Sequence, residues 1–257
     1  MKHFCYLLLA VLLAACSQQH RHFEVEVLLP YTPVKNQGHA QLCWAYAMLS
    51  AIETEHIGRG DSVHLSVAYV ERMLQREADA PPSGRAMGAT TLNLIAKYGL
   101  VPWTSMPAAD YPVPQRVFML GCEYTPLEFA HSVCAPGEYQ MLTTTTEAPY
   151  GELVVLRVPD NWEHNRFMNL CPDSLLAVTE RAVRQHHGVC WEGDTSEHGF
   201  DWREGVATTT LWNGSTTDDH CMAIVGIARD EMGENYFLMK NSWGTANRFG
   251  GLMYLSF

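Results

Sequence analysis

Two hydrophobic periods divide this chain. From about Cys43 to Ile57 the apolar residues Trp44, Ala47, Met48, Ala51 and Ile52 recur at intervals of three and four. That spacing predicts a helix with one buried face, and Gly58 and Gly60 end it. Ser66 to Arg76 and Ala89 to Tyr98 read as two further helices, the second closed by Gly99 and Pro102. Past residue 188 the pattern changes to short apolar runs of strand length: Val189 to Trp191, Met222 to Ala228, Tyr236 to Met239 and Leu252 to Leu255. Glu231 to Asn235, with Gly233, reads as a hairpin loop. Glu24 to Leu29 and Leu153 to Val158 are further strand candidates, and Asp173 to His187 an amphipathic helix with an acidic residue at its positive end. A helix-rich first half and a strand-rich second half predict an α+β fold of two lobes with a cleft between them. Pro107 to Ala148, rich in Pro and Thr, shows no consistent period.

Composition narrows the function. Of 257 residues 47% are hydrophobic, enough for a full core, so disorder and fibrous classes are excluded. Seventeen basic against 28 acidic residues give a net charge of −11, with no basic cluster. A nucleic-acid binder must displace counterions from phosphate, so no nucleic-acid partner is expected.

The N-terminus carries a targeting pattern. Lys2 and His3 precede an uncharged, mostly apolar run from Phe4 to Ala15. That run is too short to span about 30 Å of hydrocarbon as a helix, which marks a signal segment. It ends Leu13-Ala14-Ala15-Cys16, which resembles a bacterial lipobox. The resemblance implies cleavage after residue 15, lipidation of Cys16, a tether over residues 16–30, and a membrane-anchored protein of the bacterial envelope. An ordinary secretory signal cleaved nearby is the alternative.

Cys5 falls in the signal and Cys16 at its end, leaving Cys43, Cys122, Cys134, Cys171, Cys190 and Cys221 in an oxidising compartment. Cys122 and Cys134 are close enough in sequence to close a local loop, but spacing alone does not decide the pairing. No metal-site spacing is present; His131 with Cys134 is half a site at most. No oligomeric state is readable.

Three segments carry chemistry. In the first, Gln37-Gly38 precedes Cys43-Trp44-Ala45. This sets a thiol in the first turn of an apolar helix, where the dipole and unpaired N–H groups favour thiolate. In the second, Asp219-His220-Cys221 delivers an imidazole at the mouth of an apolar strand. In the third, Asn241-Ser242-Trp243-Gly244 places an amide just past another strand. Taken together these segments resemble the papain-type (C1) cysteine peptidases. The resemblance covers nearly all of the chain after the signal and implies a hydrolase that needs no cofactor. It implies Cys43 as nucleophile, His220 as base and acid, Asn241 as orienter of the imidazole, and Gln37 with the Cys43 N–H as oxyanion donors. Trp243 would shield the Asn–His bond, Asp219 would tune His220, and Gly88 would hold extended substrate. The peptidase domain is expected over 31–257: a helical lobe at 31–106, an insertion at 107–148 and an antiparallel, barrel-like β lobe at 149–257. The insertion explains why His220 and Asn241 lie farther downstream than the family's usual spacing of about 130–150 residues.

Some positions depart from the family pattern. Ala40 stands where the commonest members have a Cys, so one family disulfide is missing. Only Gly88 remains of a usual Gly-Gly pair. With the stretch Gly193 to Phe200, these departures look closer to the bleomycin hydrolase and aminopeptidase C branch. That branch blocks its cleft with its own C-terminal arm, whereas Leu252 to Leu255, expected to be a strand, is followed by only Ser256 and Phe257. An open cleft and endopeptidase activity are therefore expected. An aminopeptidase, a cell-wall peptide amidase and an inactive binding lipoprotein on the same fold are the alternatives.

Overall fold

The computed structural model describes residues 21–119, 121–208 and 219–257. The signal segment and Cys16 lie outside them. Two cores organise the chain. The first is helical and gathers around α1 (Cys43–Gly58), with α2 (Val67–Leu74), α3 (Gly88–Tyr98) and α4 (Pro126–Val133) packed about it. The second is a seven-stranded sheet built from β1 (Phe23–Leu28), β7 (Val189–Gly193), β8 (Phe200–Asp201), β9 (Val206–Ala207), β10 (His220–Asp230), β11 (Asn235–Lys240) and β12 (Leu252–Ser256). The helix α5 (Pro172–Arg184) covers that sheet, contributing fully buried Val183 to its core.

The sequence pattern predicts one buried face for α1, but the helix is buried around its whole circumference. Glu53, Thr54, Glu55 and His56 are buried together with Trp44, Leu49 and Ile52. The reason is its position: α2 and α3 pack on one side, β10 and β7 on the other. Three of these polar groups have a specific task, whereas the Thr54 hydroxyl has no hydrogen-bond partner. Glu53 accepts from the Leu65 N–H at 2.7 Å and from Lys35 Nζ at 3.3 Å. Glu55 accepts from the Gly188 N–H at 3.0 Å, tying α1 to the start of β7. His56 Nε2 lies 2.8 Å from the Val133 carbonyl, tying it to α4.

The sheet is mostly antiparallel, with one departure from the expected pattern: β12 pairs β9 in parallel. β1 crosses from the chain's beginning to pair β10. The helix-then-strand division of the sequence is therefore not strict in space.

The expected insertion at 107–148 is two structures. β2 (Val117–Met119) and β3 (Cys122–Tyr124) form a hairpin that leads into α4. Phe129, Ala130 and Val133 of α4 join the helical core, so this stretch extends that lobe. Beyond it, β4 (Leu142–Thr143), β5 (Leu153–Val155) and β6 (Arg166–Asn169) make a separate small sheet, ordered β4–β6–β5. Phe167 of that sheet packs on Met87 and Ala89 at the start of α3. The β lobe therefore begins at α5, later than residue 149, because β5 and β6 pair within this small sheet. No disulfide joins the described cysteines: Cys122 is exposed while Cys134 is buried against the helical core.

Candidate active site

The site lies where the N-terminus of α1 meets the first residue of β10. Cys43 opens α1. Antiparallel pairing with β7 and β11 fixes β10, so its first residue, buried His220, is held beside the thiol. Asn241 follows the last residue of β11 and is also buried. His220 Nε2 lies 2.8 Å from Asn241 Oδ1. That bond occupies the far ring nitrogen and leaves Nδ1 for the hydrogen bond that His220 makes with Cys43. The thiol is held down at about 4 from its ordinary value near 9. A hydrogen bond from Cys221 is the largest cause; burial opposes it, and the bond and positive charge of His220 add to it.

Trp243 stands against the His–Asn pair, its ring 4.4 Å from the imidazole centroid, with Trp202 and Phe200 packed edge-on behind it. Gln37 is fastened to the same loop. Its N–H donates to Ser242 O at 2.8 Å, and Ser242 Oγ donates to Gln37 Oε1 at 2.6 Å. Gln37 Nε2 donates to Ala40 O at 2.8 Å, which uses one of its two amide hydrogens.

Two expected residues have different surroundings. Asp219 is engaged elsewhere: its Oδ1 accepts from the Thr195 N–H and hydroxyl, at 2.8 and 3.0 Å, and fixes the loop after β7. Gly88 is not on the open cleft. It is buried at the start of α3, its N–H is given to Glu192 Oε1, and a Cβ there would lie 3.0 Å from Cys190 Sγ. The wall beside Cys43 is formed instead by Arg85 and Ala86, with Asp160 and Asp219.

Arg85 and Asp160 were not legible in the sequence. Arg85 Nε and Nη2 form a two-pronged bond with the Asp160 carboxylate, with contacts of 2.8 to 3.1 Å. Asp160 comes from the loop between β5 and β6, so the small sheet contributes directly to the cleft. Cys221 was visible only as the neighbour of His220. Behind the site, Lys240 Nζ donates to Thr32 Oγ1 and Ser50 Oγ, both at 2.8 Å. Burial holds this amine down at about 8, opposed by the charge of Glu53. No group of side chains suited to hold a metal ion occurs among the described residues.

Comparisons with known proteins agree with this geometry. A solved structure of PepW from Lactobacillus rhamnosis superposes with a TM-score of 0.71 at 16% identity, covering 91% of this chain and 78% of that one. The digestive procathepsin L 3 of Tenebrio molitor larval midgut gives a TM-score of 0.56 at 19% identity, over 94% of this chain and 66% of that one. The fold is papain-like. The papain family cysteine protease model matches residues 163–256, a span that contains His220 and Asn241. Ananain from Ananas comosus is 22% identical over 226 residues, which is 88% of this chain and 52% of ananain. The chain thus spans about half the length of this curated relative. Together the matches show a papain-like fold, with the family model covering the stretch that holds His220 and Asn241.

Proposed function

We propose that the chain hydrolyses peptide bonds through a Cys43–His220–Asn241 relay. The observation that carries this reading is the 2.8 Å His220–Asn241 bond beside a Cys43 thiol held at about 4. Cys43 thiolate attacks the scissile carbonyl and forms an acyl-enzyme. The Cys43 N–H, at the start of α1, and the second amide hydrogen of Gln37 stabilise the oxyanion. His220 protonates the leaving amine and then activates water, while Asn241 fixes the plane of its ring. Trp243 keeps water off the His–Asn bond.

The preferred substrates in this reading are peptides or partly unfolded proteins, cut within the chain. Asp160 favours a second reading. It comes from the loop between β5 and β6 and forms part of the wall beside Cys43. Such a wall suits an aminopeptidase of the bleomycin hydrolase type. Internally quenched peptides blocked at both ends separate the two. Cleavage of blocked peptides supports endopeptidase action. Resistance of blocked peptides, with stepwise loss of N-terminal residues from free-amine peptides, supports the second reading.

The location of the protein is a separate proposal. The Leu13-Ala14-Ala15-Cys16 pattern supports cleavage before Cys16 and lipid anchorage in a bacterial envelope. No helix among the described residues is long and apolar enough to cross a membrane. Mass spectrometry of the mature N-terminus tests the anchor: an acylated Cys16 supports it, and an unmodified residue 16 or cleavage elsewhere rejects it.

A further inference from the structure

The acyl-transfer relay uses Cys43 and His220 and assigns no bond-making step to the thiol immediately after His220. Cys221 is 4% exposed and belongs to the core against which Cys43 packs. It lines the same cleft wall as Cys43, and burial holds its thiol well above the ordinary value. Cys221 Sγ lies 3.4 Å from Glu192 Oε1, because the β7–β10 register sets Cys221 opposite Glu192. The Cys221 S–H thus donates to the Glu192 carboxylate. Cys43 itself is only half-buried and lines the cleft, so a small reagent from solvent reaches it first. Neither sulfur is in a disulfide in this structure.

A thiolate that faces solvent with a second, buried thiol on the same wall is the arrangement of a reversible oxidation site. We propose that Cys221 is the resolving thiol of an oxidative modification at Cys43, in which a hydroperoxide closes a Cys43–Cys221 disulfide and a thiol reductant reopens it.

The chemistry balances. Cys43 thiolate attacks the outer peroxide oxygen, the O–O bond breaks, and the leaving alkoxide or hydroxide takes a proton from water. Cys43 is then a sulfenic acid. Cys221 gives its proton to Glu192, and its sulfur attacks the Cys43 sulfur. The S–O bond breaks, and the departing hydroxide collects the proton as water. Two thiols have lost two electrons, and one hydroperoxide has become an alcohol and a water. Reduction by an external dithiol runs through attack on either sulfur and restores both thiols. Without Cys221, the sulfenic acid stays open to further peroxide and proceeds to sulfinic acid, which thiol reductants do not reverse.

The proposal rests on Cys43 being a reactive thiolate, and its test reads sulfur chemistry without reference to turnover. Fully reduced protein is exposed briefly to dilute hydrogen peroxide, its remaining thiols are blocked, and its peptides are mapped by mass. The expected product is a peptide pair joined through Cys43 and Cys221 and lighter by two hydrogens. In Cys221→Ala the same exposure should yield Cys43 sulfinic acid, and the fraction of Cys43 recovered by dithiothreitol should fall severalfold. A wild-type map with Cys43 sulfinic acid and intact Cys221 overturns the proposal. So does a disulfide from Cys221 to Cys190, which lies two positions from Glu192 on β7. An unmodified Cys43 overturns it as well. If Cys221→Ala does not fold, the wild-type map decides alone.

Discussion

Cys43 reacts as its thiolate, so the charge state set by its neighbours should govern the acid side of its chemistry. With the thiol held at about 4, iodoacetamide alkylation of Cys43 should keep a near-constant rate from neutral pH down to about pH 5, then fall through about 4. An inflection near 9, the ordinary thiol value, would refute this environment. The hydrogen bond from Cys221 is the largest cause, so Cys221→Ala should move the inflection upward. The linkage has a definite sign. Between about 4 and 9 the folded thiol binds fewer protons than the unfolded one. Its contribution to stability is therefore complete above 9 and lost as pH falls through 4. Gln37→Ala removes one oxyanion donor, and kcat should drop by roughly 10²–10³. A change confined to KM would contradict that role. The residues of the proposed relay stand out in the sequence because each sits in a short contiguous motif at an element's end. Arg85 with Asp160, and Gly88 with Glu192, do not: these partners are 75 and 104 positions apart and meet only through tertiary packing. Gly88 shows the reason, since a Gly required by close packing looks the same in sequence as one required by substrate.

At the scale of elements, α1 carries the fold because both lobes are fastened to it. It comes close to the start of β7 at Gly188, where a Cβ would lie 2.1 Å from the Ala51 carbonyl. Gly188→Ala should push β7 away from α1 and cost about 1–3 kcal/mol, the usual range for overpacking. An unchanged denaturant midpoint would show that the contact is not tight. Glu53 is fully buried and accepts from Leu65, Thr32 and Lys35. Glu53→Ala strands those donors and should cost about 3–5 kcal/mol, measured by urea unfolding. Most helices and long strands were readable from period, with ends correct to a few residues. The all-round burial of α1 was not, since periodicity reports a preferred face and not what covers the opposite one. α4 was missed although its signal is present: Thr125-Pro126-Leu127-Glu128 is a capping box with Pro at the first helical position. Thr125 and Glu128 make both reciprocal bonds, at 3.2 and 2.7 Å. The Pro and Thr content around it masked that local cue.

For the whole molecule, the relay exists only when the lobes are docked. Cys43 belongs to the helical core; His220 and Asn241 belong to the sheet. The Gln37–Ser242 bonds and the Glu55–Gly188 bond cross between them. A two-lobed α+β fold was legible from the change of period, whereas the crossing of β1 and the small sheet beside α3 were not. Pairing partners far apart in sequence leave no local trace. In the proposed function one relay, assembled from both lobes, performs the hydrolysis. It is tested most directly by the turnover of internally quenched and free-amine peptides by Cys43→Ala and His220→Ala beside the wild type. Because the members of such a relay act as a unit, both variants should lose turnover to nearly the same background level. Near-wild-type cleavage by either variant would contradict the account.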